Sequence, residues 1–129
     1  MAPPQRDSIF TRPPARRLSL VPGVHAGLAD AFLPDSLALI DIPVAIVAGA
    51  DDEVVSVKRN AEFFAAKIPR AQLTILPAPT GHMVFTGRCL EAGRTALPRV
   101  CNDPPGVDRT AVEAKTAGLA QALFAVTAR

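Results

Sequence analysis

The sequence contains no tryptophan and no tyrosine, and six phenylalanines supply all of its aromatic side chains. A surface that stacks the bases of a nucleic acid usually needs more aromatic residues than this. The formal net charge is only +2, and part of it comes from arginines crowded near the N-terminus: Arg6, Arg12, Arg16 and Arg17. We interpret these arginines as a basic tail and expect no nucleic-acid partner.

Long apolar runs are also missing. No run approaches the roughly 18–20 residues that a helix needs to cross a bilayer. Residues 1–7 have none of the apolar character of a secretory signal. We therefore expect no membrane partner and a cytoplasmic location, with an exported parent protein left open.

Cysteine is scarce, since Cys89 and Cys101 are the only two. Two cysteines are too few for a disulfide framework, and their spacing does not match a zinc-binding pattern. A disulfide between them is sterically plausible and would stabilise the fold by roughly 2–3 kcal/mol. Without a secretory signal, however, we expect two reduced, partly buried thiols.

The 129 residues make one domain at most, and nearly half of them are apolar, which is an ordinary globular balance. Residues 1–17 place four prolines among the arginines and show no apolar periodicity, so they are predicted to form a flexible tail. Residues 18–129 are predicted to form the folded domain.

A strand, a helix and a second strand follow one another in the middle of the domain. Residues 43–49 are a continuous apolar run, typical of a strand covered on both faces. Residues 57–68 place Ala61, Phe64, Ala65 and Ile68 on one helical stripe, and residues 72–76 form a second buried strand. Together they predict a right-handed unit of two parallel strands.

Shorter elements flank this unit. Residues 18–21 are predicted to form a strand and residues 33–40 a short helix with Pro34 in its first turn. Residues 86–109 are predicted to be a long irregular connection of the kind that is often functional. A closing helix should cover residues 110–127, with Val112, Leu119, Leu123 and Val126 on its apolar face. Either a capping box of Thr110 and Glu113 or Asp108 starts this helix.

An acid and a histidine lie at the ends of the two buried strands. Asp51, Asp52 and Glu53 follow the first strand, and His82 follows the second. Ligands bind outside the carboxyl ends of the strands in open α/β sheets. A carboxylate there can orient a histidine, which then acts as a general base. The order acid then histidine is that of the α/β-hydrolase triad.

Other interpretations of these residues are simpler. Asp51 is expected to be solvated or to cap the next helix, and Glu53 to favour the positive end of that helix. His25 is expected to be structural or exposed. A metal site built from the acidic turn and His82 has no support from a histidine pair or a Cys-x-x-Cys, so we expect no metal and no cofactor.

The segment from Phe32 to about Phe124 resembles the C-terminal part of dienelactone-hydrolase-like α/β-hydrolases. The resemblance implies that Asp52 is the triad acid and His82 the triad histidine. The matching stretches are Phe32-Leu33-Pro34-Asp35-Ser36-Leu37, Ile42-Pro43-Val44 through Val55 with its Gly49-x-x-Asp52-x-x-Val55 pattern, Asn60-Ala61, Gly81-His82-Met83-Val84-Phe85, and Cys101-Asn102-Asp103-Pro104-Pro105-Gly106-Val107-Asp108.

The nucleophile of that family is missing from the sequence. It sits upstream of the acid in a Gly-x-Ser/Cys-x-Gly elbow, and no serine or cysteine here has that flanking pair of glycines. The resemblance therefore implies a partial α/β-hydrolase fold: a small parallel sheet flanked by helices, without the N-terminal half of the family fold.

Two functions remain open at this point. The first is the C-terminal half of an ester or lactone hydrolase, inactive alone, which would act on a small-molecule ester or lactone once complemented. The second is a non-catalytic α/β module for binding or assembly. In both cases the sheet should have an open apolar edge that favours self-association or a complementing chain.

Overall fold

The computed structural model describes residues 19–22 and 29–127. The proline- and arginine-rich segment 1–17 and His25 lie outside these residues. Three strands form one parallel sheet in the order β1 (Ser19–Pro22), β2 (Val44–Gly49) and β3 (Ala71–Leu76). Val44 of β2 pairs with Ser19 of β1 and with Ala71 of β3. The protein is therefore a small α/β fold with a parallel sheet and flanking helices.

The central strand β2 is buried along its whole length, as its continuous apolar sequence predicts. Val44, Ile46 and Ala48 point to one face, where they pack against α1 (Pro34–Ala38) and α2 (Ala61–Lys67). Ala45 and Val47 point to the other face, towards the long closing helix α5 (Arg109–Thr127). The sheet thus has helices on both faces, which is the usual environment of parallel strands.

Helix α2 is shorter than its sequence pattern predicts. The predicted stripe is correct, because Ala61 and Ile68 are buried and Phe64 and Ala65 pack against the same core. Residues 57–60 form a turn instead of the first helical turn, and the side chain of Asn60 bonds both to the start of this turn and to a distant segment. Its side-chain Nδ2 donates to the carbonyl of Ser56 at 3.0 Å, and its Oδ1 accepts from the amide of Ala29 at 3.3 Å.

The N-terminus of α5 decides between the two predicted caps. Asp108 Oδ1 accepts hydrogen bonds from the amides of Thr110 and Ala111, at 2.9 and 3.1 Å. This is the usual action of an N-cap aspartate, so the capping box of Thr110 and Glu113 is wrong. Glu113 instead pairs with Arg88 at 3.2 Å.

The long connection between β3 and α5 is not irregular. The predicted irregular segment, residues 86–109, contains two short helices, α3 (Glu91–Ala96) and α4 (Pro98–Cys101), and the 3-10 helix His82–Phe85 precedes it. The prediction of a structureless segment was wrong because these helices are too short to show apolar periodicity. Helix α3 packs against α4, and α4 packs against the 3-10 helix, so both depend on tertiary contacts. Within the described part of the chain, no helix is long and apolar enough to cross a membrane.

A disulfide joins Cys89 to Cys101, which corrects the expectation of two reduced thiols. Cys101 is buried at the end of α4, and Cys89 precedes α3. The disulfide therefore connects the segment before α3 to the end of α4, and Gly93 of α3 lies against the two cysteines. The expectation of reduced thiols was based on the compartment, whereas the approach of the two side chains is decided by the fold.

Reduction of this disulfide is expected to lower the free energy of unfolding by about 2–3 kcal/mol, because the bond closes a short loop in the unfolded chain. Urea denaturation with and without dithiothreitol measures the difference. The matched control is the double variant Cys89→Ala/Cys101→Ala, whose midpoint should not respond to the reductant. Equal midpoints for the oxidised and reduced parent would contradict the prediction.

Candidate functional site

Asp52 and His82 meet at the carboxyl edge of the sheet. Asp52 lies three residues beyond the end of β2, and His82 begins the 3-10 helix that follows β3. His82 Nδ1 and Asp52 Oδ2 are 2.9 Å apart, and the two side chains are only 6% and 3% exposed. The contact that the order of the sequence predicts is therefore formed, and it is shielded from water.

The second oxygen of Asp52 is held by the backbone. Asp52 Oδ1 accepts the amide of Val54 at 3.0 Å and the amide of Val55 at 2.7 Å. An ionised carboxylate is only an acceptor, so the ring nitrogen facing it must carry the proton. The carboxylate thus has one oxygen committed to its own loop and the other to His82. This geometry gives a physical reason for the spacing from Asp52 to Val55.

Gly49 lets the acid loop and the histidine loop approach closely. A Cβ at Gly49 would overlap the carbonyl oxygen of Thr80, which is backbone and buried. The same carbonyl accepts the amide of Asp51 at 3.0 Å. The loop that carries the acid is therefore fastened to the residue two positions before His82, and only glycine fits at the contact.

The neighbouring acidic residues do not cap a helix. Asp51 is exposed, and α2 begins only at Ala61, so neither Asp51 nor Glu53 lies at its N-terminus. Glu53 Oε2 instead accepts the backbone amide of His82 at 3.4 Å. A Cβ at Gly81 would meet the same carboxylate. Glu53 thus helps to hold the histidine loop, a role that its sequence position did not reveal.

The serines and cysteines whose side-chain bonds the structure describes interact with groups other than His82. Ser36 Oγ donates to the carbonyl of Leu33, and Ser56 Oγ accepts the amide of Arg59. Cys89 and Cys101 are joined to each other and carry no thiol. Among the residues that the structure describes, no group of three or more His, Cys, Asp or Glu side chains is arranged to hold a metal ion.

Comparisons with protein-family models, with curated proteins and with solved structures return no match to this chain. The functional interpretation of Asp52 and His82 therefore depends on their geometry and on the motifs around them.

Arg109, the first residue of α5, is a buried charge that the sequence interpretation missed. Its guanidinium forms a two-pronged ion pair with Asp103, from Nε to Oδ2 at 2.9 Å and from Nη2 to Oδ1 at 2.7 Å. This hydrogen-bonded carboxylate raises the pKa of Arg109 above its already high ordinary value, although burial opposes the shift. The guanidinium consequently stays charged at every physiological pH.

A signal for Arg109 does exist in the sequence. The first turn of a helix carries the positive end of the helix dipole, where a cation is unfavourable. An arginine directly after the capping Asp108 therefore indicates a compensating partner elsewhere in the fold. The sequence does not say which of the nearby acids that partner is.

Proposed function

We propose that this chain carries the acid–base half of an α/β-hydrolase catalytic site, within a partial α/β-hydrolase fold, with Asp52 as the orienting acid and His82 as the general base. The observation that carries the proposal is the buried hydrogen bond between Asp52 Oδ2 and His82 Nδ1. The position of both residues beyond the ends of adjacent parallel strands supports it, because ligands of α/β sheets bind at that edge.

The proposed acid–base chemistry follows from the hydrogen bonds that Asp52 makes through its two carboxylate oxygens. Because Asp52 accepts the proton on Nδ1, the imidazole keeps Nε2 in the basic tautomer. Nε2 would take the proton of a hydroxyl or thiol as that group attacks an ester carbonyl, and would return it to the leaving oxygen. The buried carboxylate stabilises the imidazolium that forms between these two steps.

The substrate class is an ester or lactone, as the resemblance to dienelactone-hydrolase-like enzymes implies. The nucleophile would come from a segment with a Gly-x-Ser/Cys-x-Gly elbow, which this sequence lacks. Such a segment would join the sheet at its β1 end. Alone, the chain should show no efficient turnover, because the members of a triad act as a unit.

Complementation tests this function. The chain is mixed with the N-terminal half of a dienelactone-hydrolase-like enzyme that ends after its nucleophile elbow, and hydrolysis of 4-nitrophenyl acetate and of a small aryl lactone is followed. We expect turnover in the mixture and in neither half alone. His82→Ala should reduce this turnover by several orders of magnitude, as loss of a triad base does.

The control is Asp51→Asn, which removes the same charge from the adjacent, exposed position and should retain parental turnover. A complex that forms but hydrolyses neither substrate would contradict the hydrolase proposal. It would favour the non-catalytic assembly module instead. Equal turnover with parent and His82→Ala would also contradict the proposal, since His82 would then do no chemistry.

A further inference from the structure

The 3-10 helix that begins with His82 is tied to the closing helix by one buried side chain. Arg109 is 8% exposed, and its Nη1 donates to three acceptors just beyond that helix. These are the carbonyl of Thr86 at 3.2 Å, Thr86 Oγ1 at 3.1 Å and the carbonyl of Gly87 at 3.2 Å. The chain leaving the histidine is therefore anchored to the first residue of α5.

The Nη2 and Nε groups of the same guanidinium are also hydrogen-bonded. Its Nη2 donates to the carbonyl of Val100 in α4 at 2.8 Å and to Asp103 Oδ1, and its Nε donates to Asp103 Oδ2. One planar group thus joins three segments: the end of the histidine helix, α4, and the loop before α5. A lysine ammonium lacks the flat fork of donors needed for all these acceptors at once.

Thr86 links the guanidinium of Arg109 to the short helix that begins with His82. The Thr86 amide and Thr86 Oγ1 both donate to the carbonyl of Met83, at 3.1 and 2.7 Å. They close the short helix immediately after His82. Val84 of that helix is among the most deeply buried side chains of the described protein, so the helix has little room to move as a unit. Because Val84 is held in the core, a displacement of Thr86 would rotate the short helix about this side chain. The rotation would tilt the His82 ring relative to Asp52.

We propose that Arg109, fixed by Asp103 and acting through Thr86, is a positioning residue that sets the His82 ring for its hydrogen bond to Asp52. This inference rests on the proposed function of the Asp52–His82 pair. Arg109 does not touch the reacting atoms; it determines the angle and the distance at which the base meets its acid. Small misplacements of this kind are costly in catalytic sites.

The test reads the Asp52–His82 bond directly in the full chain. The far-downfield proton resonance of His82 Nδ1–H is recorded by NMR, and His25→Gln identifies it by leaving His82 as the only histidine. The decisive pair is Thr86→Val, which keeps the side-chain shape but removes the hydroxyl, and Thr86→Ser, which keeps the hydroxyl. We expect loss of the resonance in Thr86→Val and its retention in Thr86→Ser, with similar thermal midpoints for both.

Arg109→Ala gives a second measurement. We expect it to lose the resonance, and added guanidinium ion, which matches the missing group, to restore it. If Arg109→Ala does not fold, the threonine pair still decides the question. A parental resonance in Thr86→Val, or in folded Arg109→Ala without guanidinium, would overturn the inference.

The same spectra separate this inference from the proposed function. A resonance that disappears in Asp52→Asn but stays in Thr86→Val overturns the positioning role of Arg109 and leaves the acid–base pair intact. A parent without the resonance, or one that keeps it in Asp52→Asn, contradicts the acid–base pair and overturns the inference with it.

Discussion

Replacing Asp52 by asparagine is expected to reverse the tautomer of His82 while leaving the fold in place. The orientation of the new amide follows from the backbone amides of Val54 and Val55, which need an acceptor at the position of Oδ1. The asparagine must therefore turn its oxygen to these amides and its NH₂ group to His82. Since that group only donates, Nδ1 has to accept, and the ring proton moves to Nε2.

The consequence is a base that is folded correctly but carries its proton on the wrong nitrogen. In a serine-protease triad the equivalent change lowers kcat by about 10⁴, and we expect a loss of similar size in the complemented chain. Nitrogen-15 NMR of the imidazole, with His25→Gln as background, reports the tautomer without any partner chain. Asp51→Asn is the matched control and should leave the tautomer unchanged.

An unchanged His82 tautomer in Asp52→Asn would contradict this prediction. It would mean that the asparagine had turned the other way and left the backbone amides of Val54 and Val55 without their acceptor. A loss of activity in Asp51→Asn as large as that in Asp52→Asn would also contradict it. The effect would then come from removing negative charge near the site and not from the hydrogen bond.

Gly49→Ala is expected to be among the most destabilising single-methyl changes in the described part of the protein. The added Cβ would overlap the backbone carbonyl of Thr80, and neither β2 nor the histidine loop can withdraw without breaking its own hydrogen bonds. Overpacking of this kind costs about 3 kcal/mol at the upper end of its usual range. The change should also disturb the Asp52–His82 contact, because the same carbonyl holds the amide of Asp51.

Thermal unfolding followed by circular dichroism measures this cost. For a chain of this size, a loss of about 3 kcal/mol lowers Tm by roughly 10–20 °C. The control is Gly118→Ala in α5, where an added Cβ meets nothing within 4 Å. That change should raise the stability by about 0.5–1 kcal/mol, since glycine is unfavourable inside a helix. Equal effects of the two substitutions would contradict the steric argument.

The parts of the fold that the sequence predicts well have patterns set by neighbouring residues. The run from Val44 to Gly49 is apolar at every position because helices cover both faces of β2, and this environment is directly visible in the composition. The stripe of α2 and the proline at the start of α1 are local signals of the same kind. The boundaries of α2 were less predictable, because Asn60 bonds to Ala29, far away in the chain.

The pairing of Asp52 with His82 could also be predicted. Each residue follows a recognisable strand, and adjacent parallel strands end at the same edge of a sheet, so topology alone brings the two loops together. The details of the contact could not be read in advance. Which oxygen of Asp52 faces the ring depends on the amides of Val54 and Val55, and the role of Glu53 depends on the return path of the histidine loop.

By itself, the sequence determined the parallel unit of β2, α2 and β3 and the placement of an acid and a histidine at its carboxyl edge. These properties follow from apolar periodicity and from the order of residues along the chain. Only the tertiary structure decided the disulfide of Cys89 with Cys101, the folding of α3 and α4, and the burial of Arg109 against Asp103 and Thr86. The physical reason is that each of these depends on the approach of segments whose own sequences are too short, or too polar, to specify their partners.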